Sequence, residues 1–151
     1  MKKLDFFKVF LAALIAAAGA SAQGVSLEQL ENKNGVYFYN DKPYSGKIYY
    51  DCMCDGGDEY AYSGNMINGK LNGAWKEIRQ GMLESAGNYK DGKREGKWNE
   101  YEWSGDYKNG EKHGEWKEFY YNGKVKSVQN YENGKEVGAI KEFDENGKLI
   151  N

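Results

Sequence analysis

The chain has 151 residues, with 21 basic and 23 acidic side chains and a single histidine. That balance lacks the basic excess with which nucleic-acid binders neutralise phosphates. Its 20 glycines, 13 tyrosines and 4 tryptophans, with one proline and no threonine, exclude a disordered polar tract, because aromatics at this density supply burial that such tracts lack.

The chain opens with Lys2, Lys3 and Lys8, an uncharged apolar run from Val9 to Ala18, and the small-residue pattern Ala20-Ser21-Ala22. This reads as a removable export signal over residues 1–22. The apolar run is shorter than the roughly 20 residues of a spanning helix. Removing the signal leaves 18 basic and 22 acidic side chains. The expectation is a soluble protein exported from a bacterial cytoplasm, periplasmic or secreted, with no transmembrane anchor after cleavage. Residues 23–35 are expected to form a linker or short helix, and residues 36–151 one repeat domain.

From residue 40 onward the chain repeats itself. Five segments align on one glycine: "NDKPYSGKIYY" from Asn40, "NGKLNGAWKEI" from Asn68, "DGKREGKWNEY" from Asp91, "NGEKHGEWKEF" from Asn109 and "NGKEVGAIKEF" from Asn133. Their anchors, Gly46, Gly73, Gly96, Gly114 and Gly138, are spaced by 27, 23, 18 and 24 residues. A second phrase precedes each later copy and ends at Met66, Tyr89, Tyr107 or Tyr131. Asn-Gly occurs seven times and Asp-Gly twice. These pairs tolerate the positive φ of tight hairpin turns. The predicted fold is all-β: a single twisted antiparallel sheet of tandem hairpins, about five repeats. The short 18-residue interval predicts a tighter hairpin between Trp98 and Tyr107. A helical reading is opposed by a glycine every few residues, each costing about 1 kcal/mol inside a helix.

Alternation along each strand then sorts side chains into rows. One row is Trp75, Trp98, Trp116 and Ile140, sharing a face with Glu77, Glu100, Glu118 and Glu142. Another is Met66, Tyr89, Tyr107 and Tyr131. A one-layer sheet has little core besides such rows, yet it cannot easily cover both faces. The rings of Trp75, Trp98, Trp116, Tyr89, Tyr107 and Tyr131 are therefore candidates both for the core and for a partner-binding surface.

The pattern Gly-x-Trp-Lys-Glu-aromatic, followed by Asn-Gly-Lys and a Gly-Asn-Tyr phrase, resembles the MORN repeat, in particular the bacterial MORN-variant repeat. The resemblance covers Tyr37 to Asn151 and is strongest from Ser63 to Leu149; in the first copy Ile48 stands where tryptophan is expected. It implies a sheet built of hairpins and a scaffold-like or antitoxin-like role. A phosphoinositide-kinase role, which some relatives carry by name, finds no support in the residues: the chain has neither kind of glycine-rich phosphate loop and no room for a kinase domain.

Candidate chemistry is sparse. The position before each anchor glycine is Ser45, Asn72, Glu95, His113 and Val137, a variety expected of an exposed turn and not of a catalytic imidazole. Without His113 no nucleophile has a partnered base. The glutamate row has a spacing open to glycosidase chemistry, but neighbouring Lys76, Lys117 and Lys141 suggest solvated charge pairing. Cys52 and Cys54 lie in the insertion "DCMCDGGDEY". Three states stay open for them: a small local disulfide, free or intermolecular thiols, and a metal site with Asp51, Asp55, Asp58 or Glu59. No catalytic residue, cofactor or metal is expected. The functional expectation is a non-enzymatic exported module that binds an unknown protein partner, and no nucleic acid, through its aromatic sheet face or a sheet edge. Its alternatives are an antitoxin or immunity-type protein and an envelope carbohydrate binder; the oligomeric state is left open.

Overall fold

A computed structural model describes residues 24–53 and 59–151. The export signal and Cys54 lie outside the described residues, and with them the tests of signal cleavage and of the Cys52–Cys54 pairing. The fold is an antiparallel meander, as the hairpin signals predict. Strands β1 (Glu31–Lys33), β2 (Val36–Tyr39) and β3 (Lys42–Pro43) form a small sheet of their own. The main sheet has ten strands: β4 (Gly46–Met53), β5 (Glu59–Ile67), β6 (Lys70–Leu71), β7 (Gly73–Arg79), β8 (Met82–Lys90), β9 (Lys93–Glu100), β10 (Trp103–Lys108), β11 (Glu111–Phe119), β12 (Val125–Glu132) and β13 (Lys135–Glu142). Each pairs with its neighbour in sequence except at β6, a short spur on β5, beyond which β7 pairs with β5.

The expected single sheet is thus two. Pro43 has no N–H to donate, and β3 is only two residues long, so the ladder breaks there. The small sheet stays attached through the turn at Gly69, whose carbonyl accepts from the Tyr37 amide at 2.8 Å and whose amide donates to the Tyr44 carbonyl at 2.7 Å. Between residues 24 and 35 the expected short helix is a single 3-10 turn, Leu27–Gln29, closed at its start by a Ser26 capping box. The rest of that stretch contributes β1.

The turns follow the sequence. Asn68-Gly69, Asp91-Gly92, Asn109-Gly110 and Asn133-Gly134 each have two consecutive positive φ angles, the conformation that matches strand twist. They form one rim of the sheet and are tied in series. The turn amides of Gly92, Gly110 and Gly134 donate to the carbonyls of Leu71, Arg94 and Lys112 in the preceding copy at 2.8–3.0 Å. The predicted tight hairpin is present: β9 and β10 are joined by only Tyr101 and Glu102.

The anchor glycines do something that the sequence did not reveal. They sit inside strands as β-bulges, not in turns. Gly96, Gly114 and Gly138 have φ between 67° and 74°, and each bulge sets three residues against one on the preceding strand: 96–98 against Gly87, 114–116 against Gly105, 138–140 against Gln129. The residue facing the bulge is glycine in two of these copies for a steric reason. A Cβ on Gly105 would lie 2.4 Å from Cδ2 of Trp116, and one on Gly87 would lie 2.3 Å from Cδ2 of Trp98. The indole lies flat on bare backbone. Its Nε1 then donates to the next carbonyl, Asn88 for Trp98 at 3.1 Å and Asp106 for Trp116 at 3.0 Å.

The last copy replaces both partners at once. Ile140 takes the tryptophan position, Gln129 takes the glycine position, and the Gln129 amide donates to the Asn130 carbonyl at 3.1 Å, where an indole donates in earlier copies. It also donates to the Val137 carbonyl at 3.1 Å. Gln129 is buried yet satisfied.

Gly105 has no left-handed φ, so alanine there would be tolerated but for the ring above it. Gly105→Ala should cost about 2 kcal/mol through overpacking. In a Trp116→Leu background that cost should shrink by more than half. Urea unfolding of the four proteins of the cycle measures it; an equal cost in both backgrounds would disprove the contact.

Candidate functional site

The two predicted rows lie on the same face and merge. Ring centroids run unbroken through Tyr50, Tyr62, Trp75, Tyr89, Trp98, Tyr107, Trp116 and Tyr131, with separations of 5.1–6.3 Å. From Trp75 onward every step is edge-to-face, between 75° and 87°. That arrangement sets the positive edge of one ring against the negative face of the next. Cations cover the outer surface: Arg94 stands 4.4 Å from the Trp98 ring centroid and Lys112 4.0 Å from that of Trp116.

This geometry corrects one expectation. Trp98 and Trp116 are 1% and 0% exposed, and Trp75 is buried too, so the tryptophans have no surface to offer a partner. Backbone lies beneath them, tyrosines flank them and cations sit above. Tyr89, Tyr107 and Tyr131 are half-buried. The Tyr107 hydroxyl donates to Glu100 at 2.9 Å and that of Tyr131 to Glu136 at 3.3 Å.

The glutamate row also differs from the expected solvated pairing with Lys76, Lys117 and Lys141. Glu77 accepts from the Tyr60 hydroxyl at 2.8 Å and from the buried Ser85 at 3.0 Å. Glu118 accepts from the buried Ser127 at 2.9 Å and from Lys126 at 2.7 Å. In the middle copy Trp103 stands where those serines stand, and Glu100 is held instead by Arg94 and Tyr107. Glu77 and Glu118 thus commit both carboxylate oxygens to hydrogen bonds, Glu100 takes both of its partners on Oε1, and Glu142, at the sheet edge, is exposed. Ser85 and Ser127 do not stand out in the sequence, because a serine at one register of two copies reads like any solvent-facing serine; its place two residues before Gly87 and Gln129 is the available signal.

His113 is also not in an exposed turn. It belongs to β11, opposite Asp106, and its Nδ1 is buried without a hydrogen-bond partner. Among the described residues no group of three His, Cys, Asp or Glu side chains is placed to hold a metal ion.

The second rim, formed by the hairpin ends opposite the Asn-Gly turns, is open to solvent. Met82, Leu83, Tyr101 and Tyr121 project there, Tyr101 being 57% exposed and Tyr121 fully so. The hairpins stay in series: the Tyr101 amide donates to the Glu84 carbonyl and the Phe119 amide to the Glu102 carbonyl, at 2.9 and 2.8 Å. Beside Tyr101 is a cleft of about 360 Å³ with Glu77, Glu84, Glu100 and Glu102 on its walls and Arg94 as its one cation. The open edge strand β13 is different in character. Lys135, Glu136, Lys141 and Glu142 charge it, which is how sheet edges are guarded against indiscriminate pairing.

The chain matches no protein-family model and no curated protein.

The hydroxyl of Tyr60 is pushed up to about 12, by burial first and by its bond to Glu77 second. In an unfolded chain it ionises near 10, so the folded state holds the proton longer. The stability this contributes is intact below about pH 10 and is lost as the pH rises towards about 12. Unfolding midpoints measured across that interval should fall less steeply for Tyr60→Phe than for the parent; equal slopes would contradict the assignment.

Proposed function

We propose that this chain is a non-enzymatic exported interaction module of the MORN-variant type, which binds a protein partner through the rim bearing Met82, Leu83, Tyr101 and Tyr121. The observation that carries the reading is the exposure of four large apolar side chains on successive hairpin ends that are hydrogen-bonded in series. Such side chains cost solubility unless something covers them, and contiguous apolar surface rimmed by charge marks protein interfaces. Equivalent hairpin ends lie roughly 10 Å apart, two strand spacings, so the rim offers a row of anchors at a fixed pitch. Glu84 and Glu102 beside it favour a partner carrying basic groups around an apolar centre.

The charged edge of β13 argues for the rim over strand addition, and the burial of Trp75, Trp98 and Trp116 argues for it over the aromatic face. A toxin as the partner is one case of the same reading. Catalysis has little support here, because Glu77, Glu100 and Glu118, which stand at glycosidase-like spacing, are held by Tyr60, Ser85, Ser127, Arg94 and Tyr107.

A photo-crosslinking amino acid placed singly at Tyr101, Tyr121 or Asn88 tests the reading in producing cells. Asn88 is exposed on β8 away from this rim. Discrete protein adducts are expected from Tyr101 and Tyr121 and none from Asn88. Adducts from Asn88 alone, or from no position, would contradict the rim as the contact surface.

A further inference from the structure

The face opposite the aromatic ladder carries a groove across β4, β5 and β7, of about 540 Å³. Its floor is the backbone of Ile48, Gly64 and Trp75, positions that alternation along the strands assigns to the ladder face. Lys47 and Lys76 stand on its two outer strands, with Ser63 and Asn65 between them and Tyr49, 39% exposed, beside Lys47. Among the described residues no carboxylate lines it and neither lysine is ion-paired.

The repeat supplies a comparison within the same molecule. Over Gly105 an equivalent groove of about 410 Å³ is lined by Lys97 and Lys117. There Asp106 and Glu115 balance the charge, and Glu115 holds Lys117 at 3.1 Å. The same architecture is neutral in one place and doubly positive in the other. Repetition explains the shape, and the balance of charge differs between these two grooves.

We propose that the groove over Gly64 is a binding site for an acidic saccharide. Lys47 and Lys76 lie two strands apart and two residues out of register, roughly 12 Å, a span that a short saccharide bearing carboxylates covers. Ammonium groups there can take carboxylates as charge-assisted hydrogen bonds. Ser63 and Asn65 provide a hydroxyl and an amide for sugar hydroxyls, and the Tyr49 ring an apolar surface for a sugar face. An acidic peptide fits less well. The backbone groups beneath the groove are committed to the pairs Lys47↔Asn65, Tyr49↔Ser63 and Ser63↔Lys76, so a peptide main chain would lie there with few partners.

The test is calorimetric titration of the folded protein with trigalacturonic acid, with maltotriose as the neutral trisaccharide and hexaglutamate as the acidic peptide. Trigalacturonic acid should bind and the other two should not. Lys47→Ala and Lys76→Ala should each weaken binding roughly tenfold or more, and Lys97→Ala, in the balanced groove, should leave it unchanged. Both critical lysines are exposed, and matching circular dichroism verifies that the variants fold. The proposal is overturned if trigalacturonic acid does not bind, if hexaglutamate binds as tightly, or if Lys97→Ala weakens binding as much as Lys76→Ala does. The rim carrying Tyr101 and Tyr121 is unaffected by any of these outcomes.

Discussion

The structure depends on an indole lying flat against a backbone that has no side chain. A sheet one layer thick has no second layer to bury its apolar face, so each ring must find contact from its own strand neighbours. The bulge at each anchor glycine makes that possible. It inserts residues on the tryptophan strand and brings the ring over the strand before it, where Gly87 and Gly105 leave the space. Tyrosines from the intervening strands then fill the interval at edge-to-face angles, and Arg94 and Lys112 close the top. Burial of a ring this size contributes several kcal/mol, on the order of its 150–250 Å² of apolar area.

That constraint explains the sidedness of the molecule. The ladder consumes the tryptophans and the glutamate row, so the most aromatic face has the least aromatic surface left for a partner. The surfaces we propose for recognition lie where the ladder does not reach: the hairpin ends at one rim and a shallow groove on the far face. The ladder also has to end. On the β4 side the chain caps it, with Val25 bridging to Ile48 and the Leu27 amide donating to the Tyr62 hydroxyl at 2.8 Å. On the β13 side Ile140 and Gln129 replace the indole and glycine, and charged residues guard the edge.

Much of the fold could be read from the residues because its signals are local. Asn-Gly and Asp-Gly state their turn conformation directly, and five registered copies turned single tryptophans into a row. The anchor glycines were legible as important but not as bulges, since a positive φ serves a turn and a bulge equally. The purpose of the second glycine, Gly87 or Gly105, is not legible in its own phrase, since it depends on a ring from the next strand. The surfaces were harder still. Burial of Trp98 follows from Arg94 and the tyrosines closing over it, and Met82 and Tyr121 stand out only once successive hairpins are placed side by side.

The central claim is the contact between indole face and glycine backbone, and its most direct measurement is the proton NMR shift of the Gly87 and Gly105 α-protons. Ring currents from Trp98 and Trp116 should move one α-proton of each glycine far upfield, with the Gly105 signal returning to the ordinary strand range in Trp116→Leu. Ordinary shifts for both glycines in the parent protein would show that the rings do not lie on them, and the account of the fold would fail there.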